Sequence, residues 1–191
     1  YFCPGEDTYL TDSIAEAVIK STRKAALDCM KNPEDYNARA NMMWASSLAH
    51  NGLTQCGREF QLVVHQLEHE VSGMYPKVAH GAGLAALWCS WARYVYKANI
   101  SRWLQYSANV WNLDIDYEHP EKTIESAIDL QEQYYTSLGM PVGLKALGVE
   151  ESSLPKLALD CSRNKTRTLT GYKPLAYDDI LAIYQMAYSR G

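Results

Sequence analysis

VVHQLEHEVSGMYPKVAHGAG, residues 63–83, is the segment that most constrains the fold and the chemistry of this 191-residue chain. Apolar residues recur at helical spacing in its first half, and Gly73 and Pro76 then mark a turn. A second helix follows, with His80 at its start and with Gly81 and Gly83 removing side-chain bulk beside it. The pattern predicts one helix over about residues 57–74 and another over about 81–97.

The same helical periodicity covers most of the chain on either side of this segment. In residues 32–52, Asn32 is the expected N-cap, Pro33 lies in the first turn and Gly52 follows the helix end. Period-2 runs bounded by turn residues are missing from the sequence, so we predict an all-α bundle of about eight helices. The remaining helices are expected over residues 10–30, 101–111, 120–138, 151–161 and 177–189.

Three of the five histidines lie in the opening segment, and helical geometry separates two of them from the apolar face. On a wheel of about 100° per residue, the apolar stripe of the 57–74 helix consists of Phe60, Val64, Leu67, Val71 and Met74. A different side carries His65, Glu68, His69 and Ser72. Imidazoles four residues apart project from one face, as metal ligands or a ligand with a proton carrier would need. We expect these polar groups to be solvated when the chain folds by itself.

Composition excludes several classes of protein. Hydrophobic residues make up 47% of the chain and charged residues 21%, which is ordinary for a soluble globular protein. The net charge of −4 and the lack of a basic cluster give no reason to expect nucleic acid. No stretch is apolar enough to cross a membrane, and five scattered cysteines favour reduced thiols and a cytoplasmic location.

Because the chain opens at Tyr1 in what reads as a helix end, we expect it to be part of a longer protein.

His65-Gln66-Leu67-Glu68-His69 matches the H-x-x-E-H pattern of one class of zinc peptidases. In that interpretation both histidines bind zinc and Glu68 acts as the base. The pattern is short, and helices generate it by chance. A peptidase also needs a third ligand, and the sequence singles out none of its downstream candidates, Glu118, Glu121, Glu125 and Glu132.

Longer motifs give a resemblance that spans essentially all 191 residues. The segments NARANMMWASSLAHNGL, HQLEHEVSGMYPKVAHGAGLA and WARYVY resemble the C-terminal helical domain of the iron-containing (group III) alcohol dehydrogenases, particularly the butanol dehydrogenase branch. The similarity continues through SANVWNLD, SLGMPVGLKALGV and DDILAIYQMA. The ordered histidines followed by HGAGLA are its most specific part.

The resemblance implies that residues 1–191 are the helical metal-binding domain of a two-domain enzyme with a dehydroquinate synthase-like fold. The N-terminal α/β domain, which binds NAD(P)H, would lie outside this chain. Such an enzyme interconverts small alcohols and aldehydes or ketones by hydride transfer, and a homodimer is compatible with it. The isolated chain would be inactive.

The family binds Fe²⁺, or in some members Zn²⁺, through one aspartate and three histidines. His65 and His80 match the last two metal ligands. His69 matches a further histidine that points toward the nicotinamide and is not a usual ligand, which implies a catalytic and cofactor-binding role. The aspartate and the first histidine would precede Tyr1.

The main alternative is a helical interaction or oligomerisation module that keeps the histidines without catalytic use. Among the other candidates, His50 is expected to be a helix-end cation and His119 a solvated loop residue. Tyr75 and Trp88 are candidates for lining a substrate pocket. The tryptophans at helical spacings are expected in the core: Trp44, Trp88, Trp91, Trp103 and Trp111.

Overall fold

The computed structural model describes residues 1–5 and 8–190. Within these residues it contains eight α-helices, no β-strand and two isolated antiparallel bridges, Gly5–Arg58 and Leu169–Leu175. The helices are α1 (Tyr9–Lys31), α2 (Tyr36–His50), α3 (Val63–Met74), α4 (His80–Val95), α5 (Ile100–Trp111), α6 (Pro120–Ser137), α7 (Leu154–Cys161) and α8 (Tyr177–Tyr188). The predicted all-α bundle is confirmed. No helix in the described part of the chain has the length and apolarity needed to span a membrane.

Helix α4 lies at the centre of the bundle. Consecutive helices pack as the pairs α1–α2, α3–α4, α5–α6 and α7–α8, and α4 also contacts α6 and α8. Small residues allow this close packing, because Gly83, Ala85, Ala86 and Ala92 are all buried along α4. The position of α4 therefore fixes where His80, its first residue, meets the rest of the fold.

The turn between α3 and α4 is held by short-range and tertiary hydrogen bonds. The Tyr75 N–H caps α3 by donating to the Val71 carbonyl at 2.8 Å, and the Val78 N–H donates to the Tyr75 carbonyl at 2.9 Å. The Tyr75 hydroxyl donates to Ser153 Oγ at 2.7 Å, which ties the turn to the start of α7. Ala79 is extended and allows α4 to begin at His80.

Three predicted helix starts were wrong. Helix α7 begins at Leu154 and not at residue 151, because Glu151–Ser153 form a 3₁₀ turn. Helix α2 begins at Tyr36, because the Asp35 carboxylate accepts the Ala38 N–H at 3.1 Å and caps the helix there. Helix α3 begins at Val63 rather than near Gly57. The Glu59 N–H donates instead to the Pro4 carbonyl at 2.8 Å, so this segment pairs with the N-terminal residues and not with itself. Phe60 consequently lies outside the helix and is 52% exposed.

A substitution at Leu87 tests how much the stability of the bundle depends on packing around α4. Its side chain is fully buried, so Leu87→Ala is expected to lower the free energy of unfolding by about 3 kcal/mol through lost burial and a residual cavity. Leu10→Ala is the matched control, since Leu10 is also helical but 72% exposed, and it should change stability by about 0.5 kcal/mol or less. Urea denaturation of both variants measures the difference, and equal effects would contradict the central position of α4.

Candidate metal centre

The three histidines of the opening segment come together at the α3–α4 turn. Helix α3 supplies His65 and His69, whose ring centroids are 6.3 Å apart across one helical turn. Helix α4 brings His80 to them, with centroid distances of 5.1 Å to His65 and 5.5 Å to His69. Residues that are up to 15 positions apart in sequence thus form one imidazole cluster.

The three rings differ in exposure. His69 and His80 are exposed, whereas His65 is half-buried. Burial, followed by the nearby His80 and His69, lowers the pKa of His65 below its usual value. His65 is therefore neutral at physiological pH, which leaves a nitrogen lone pair free for a metal ion.

Glu68 lies behind the cluster and not on a solvated face. Its side chain is fully buried between α3 and α4, and its Oε2 is hydrogen-bonded to His80 Nδ1. The expectation that Glu68 would be solvated was therefore wrong. The helical wheel placed it off the apolar stripe, but α4 packs against that side of α3 at Gly83.

The donor atoms of this cluster fit a divalent metal. Glu68, His69 and His80 each place a potential ligand atom within 4.8 Å of the others, and the ring of His65 adjoins that of His80. Neutral imidazoles with a carboxylate suit Fe²⁺ or Zn²⁺. Because the Glu68 carboxylate is bonded to His80, the ring nitrogens of the three histidines are the donors that remain for a metal.

The same geometry disfavours the zinc-peptidase interpretation. A base for peptide hydrolysis must reach a water molecule on the metal, whereas the Glu68 carboxylate is buried and bonded to His80. The downstream glutamates offer no third ligand within the described residues, since the group of close donor atoms includes none of them. Glu125 instead accepts a hydrogen bond from the Tyr96 hydroxyl at 2.9 Å.

An apolar cleft adjoins the imidazole cluster. It has a volume of about 330 Å³, and His65, Leu84 and Trp88 lie in its wall. Trp88 also lines a larger neighbouring groove of about 540 Å³ between α1, α2 and α6. Tyr75 has a different role, because its hydroxyl donates to Ser153 and accepts the Glu150 N–H at 3.1 Å. Of the two pocket candidates, only Trp88 faces the cleft.

The remaining candidates lie outside the cluster. His50 occupies the last turn of α2, as expected for a helix-end cation, and His119 precedes α6 with its Nδ1 3.5 Å from Asp116 Oδ2.

Trp91 and Trp103 are buried in the core. Trp44 is 63% exposed on α2, so its predicted core position was wrong. Its helix packs mainly against α1 within the described residues, and Trp44 lies on its outer face.

Comparison with known proteins gives this arrangement a family. The model of the Fe-containing alcohol dehydrogenase family, C-terminal, matches residues 1–188. NADH-dependent butanol dehydrogenase A of Clostridium acetobutylicum is 36% identical over 189 residues, or 98% of this chain and 48% of that protein. The NADPH-dependent aldehyde reductase of Escherichia coli is 30% identical over 185 residues, or 95% of this chain and 46% of that protein. The chain belongs to the Fe-containing alcohol dehydrogenase family and corresponds to its C-terminal part.

Solved structures agree with this assignment. A butanol dehydrogenase from Thermotoga maritima, described as NADH-dependent, superposes with a TM-score of 0.90 at 28% identity, covering 98% of this chain and 48% of that one. The aldehyde reductase of E. coli also superposes with a TM-score of 0.90 at 28% identity, covering 98% of this chain and 48% of that one. The chain thus spans about half the length of the relatives it matches.

Proposed function

We propose that this chain is the metal-binding half of an NAD(P)-dependent oxidoreductase that interconverts small alcohols with aldehydes or ketones. The observation that carries the proposal is the imidazole cluster of His65, His69 and His80 in a chain of the Fe-containing alcohol dehydrogenase family. The activities named for its relatives, butanol dehydrogenase and aldehyde reductase, support this substrate class. An N-terminal α/β domain outside residues 1–191 would bind NAD(P)H, the hydride donor.

His65 and His80 are the proposed metal ligands. His65 offers a neutral imidazole. His80 is hydrogen-bonded to Glu68 through Nδ1, and among the described residues its Nε2 has no hydrogen-bond partner. One aspartate and one histidine from outside residues 1–191 would complete the ligand set. A bound Fe²⁺ or Zn²⁺ supplies Lewis acidity toward the oxygen of the substrate.

His69 is the proposed proton-transfer or nicotinamide-positioning residue. It is exposed and lies one turn along α3 from His65. An exposed imidazole beside the ligands can pass a proton between the substrate and solvent. The apolar wall formed by Leu84 and Trp88 would exclude water beside His65 and receive the carbon chain of the substrate.

The full-length protein tests this proposal. The purified enzyme is expected to oxidise NADH or NADPH with butyraldehyde, to lose this activity after chelation and to recover it with Fe²⁺ or Zn²⁺. A protein that binds no metal and oxidises neither cofactor with any short aldehyde would favour the interaction-module alternative. The coding sequence upstream of Tyr1 gives an independent check, because a glycine-rich nucleotide-binding region followed by D-x-x-x-H is expected there.

Residues 1–191 expressed alone should be folded and helical but should bind metal and nucleotide weakly. Two of four proposed ligands and the nucleotide domain lie outside this segment, so the melting temperature should scarcely respond to Fe²⁺, Zn²⁺ or NAD(P)H. Tight ligand binding would raise it by mass action. Differential scanning calorimetry measures the shift, and a large increase with metal alone would show that the segment carries a complete metal site.

A further inference from the structure

Glu68 is a fully buried carboxylate with a single side-chain partner. Its Oε2 is hydrogen-bonded to His80 Nδ1, while within the described residues its buried Oε1 has no hydrogen-bond partner. Burying a carboxylate is costly unless it is paired, so the contact with His80 has to offset that cost. Because burying the Glu68 carboxylate behind the exposed ring of His80 costs free energy, its position calls for a structural or functional reason.

Gly83 provides the space that Glu68 occupies. A Cβ at position 83 would lie 2.6 Å from Glu68 Oε1, 2.7 Å from its Cγ and 3.0 Å from its Cδ, closer than packed atoms approach. A glycine within a helix costs about 0.5–1 kcal/mol relative to alanine, so this space comes at some loss of helix stability. Gly81, two residues earlier in α4, differs, because in the described part of the chain nothing lies within 4 Å of its would-be Cβ.

We propose that Glu68, accommodated by Gly83, is a positioning residue that fixes the ring of His80 and selects Nε2 as its metal-binding nitrogen. The carboxylate holds the proton on Nδ1 and keeps the lone pair on Nε2, which faces away from the buried side. The orientation follows from the packing of α3 against α4 and needs no metal to form it. The link to metal binding rests on the proposed function, whereas the tautomer of His80 does not.

The tautomer can be measured directly on residues 1–191. Long-range ¹H–¹⁵N spectra of the imidazole nitrogens distinguish the Nδ1–H from the Nε2–H form in buffer well above the usual imidazole pKa. We expect His80 to carry its proton on Nδ1 in the wild-type chain. Finding the proton on Nε2 in the wild-type chain would overturn the proposal without the need for any variant.

Three variants separate positioning from general packing. Glu68→Leu removes the acceptor and should return His80 to the Nε2–H form, which free imidazole prefers. Gly83→Ala should do the same, because its Cβ displaces the carboxylate. Gly81→Ala is the matched control and should retain the Nδ1–H form. Backbone spectra confirm that each variant is folded, and an unchanged tautomer in folded Glu68→Leu would refute the role of Glu68.

Metal affinity in the full-length enzyme provides the second measurement. Glu68→Leu and Gly83→Ala are expected to weaken Zn²⁺ binding by about 10–100-fold, the usual cost of removing the hydrogen-bond partner of a metal-binding histidine. Gly81→Ala should bind Zn²⁺ as the wild type does. If His80→Ala keeps full Zn²⁺ affinity, the proposed ligand set is wrong. If His80→Ala loses Zn²⁺ while Glu68→Leu binds it normally, only the positioning role fails.

Discussion

Replacing His65 or His80 with alanine in the full-length enzyme is expected to remove the bound metal and to lower kcat/KM for aldehyde reduction by about 10³-fold or more. Each substitution deletes a proposed ligand from a four-residue set, and Lewis acidity toward the substrate oxygen contributes several kcal/mol to the transition state. Metal analysis by inductively coupled plasma mass spectrometry and steady-state kinetics measure the two effects.

His69→Ala is the informative comparison for these two variants. It should retain the metal and lower turnover by about 10²–10⁴-fold, the usual contribution of a proton-transfer group. His69 shares one group of close donor atoms with Glu68 and His80, so the alternative is that it binds the metal itself. Loss of metal in His69→Ala with retention in His80→Ala would show that the roles are reversed.

The second large effect is expected at Asp12, in a buried charge cluster that joins α1 to α5. Asp12 forms an ion pair with Arg58, and Arg102 Nη1 lies 2.5 Å from its Oδ2. Gln105 donates to Asp12 Oδ2 at 3.0 Å and to Glu16 Oε1 at 2.9 Å. Asp12→Asn leaves two buried guanidinium groups without their carboxylate, so it should lower the free energy of unfolding by about 3–5 kcal/mol.

Asp28→Asn is the control for Asp12→Asn. Asp28 lies in the same helix and pairs with Lys24 and Lys31, whose side chains are exposed. Such surface pairs contribute about 0–1 kcal/mol, so the control should unfold at nearly the wild-type urea concentration. Equal destabilisation by the two substitutions would contradict the structural role of the buried cluster.

The contribution of Asp12 should also depend on pH. Burial alone would raise its pKa, but hydrogen bonds from Gln105, Arg102 and Thr8 hold it below the usual value of 3.8. A folded-state pKa below the unfolded one gives stability that is present at neutral pH and is lost as the pH falls through the folded value. In urea titrations, the difference between wild type and Asp12→Asn should therefore be constant at neutral pH and shrink below about pH 3.8.

Local patterns in the sequence were enough to predict that two helices meet at the candidate site, although not where α3 begins. The apolar period of α3 and the turn signals at Gly73 and Pro76 placed α3 and α4, and the four-residue spacing put His65 and His69 on one face. The family resemblance, which the comparisons confirm, was needed to associate His80 with them. The assignment of individual roles to the three histidines remains a prediction.

The helical pattern did not predict the burial of acidic side chains, because that burial depends on residues distant in sequence. In the sequence of α1, Asp12 and Glu16 lie off the side that carries Ile14, Ala17 and Val18, yet both carboxylates are buried. Arg58 and Arg102, which are 46 and 90 positions from Asp12, cover that side of α1, and helical periodicity does not reveal them. Glu68 was misplaced for the same reason, because the space it occupies is created by Gly83 on the next helix.

A crystal structure of the full-length enzyme, with anomalous diffraction collected at the iron and zinc edges, tests the central claim most directly. We expect one anomalous peak about 2.0–2.2 Å from a nitrogen of His65 and from Nε2 of His80, with His69 outside bonding distance. A peak bonded to His69 but not to His65, or no peak between α3 and α4, would contradict it.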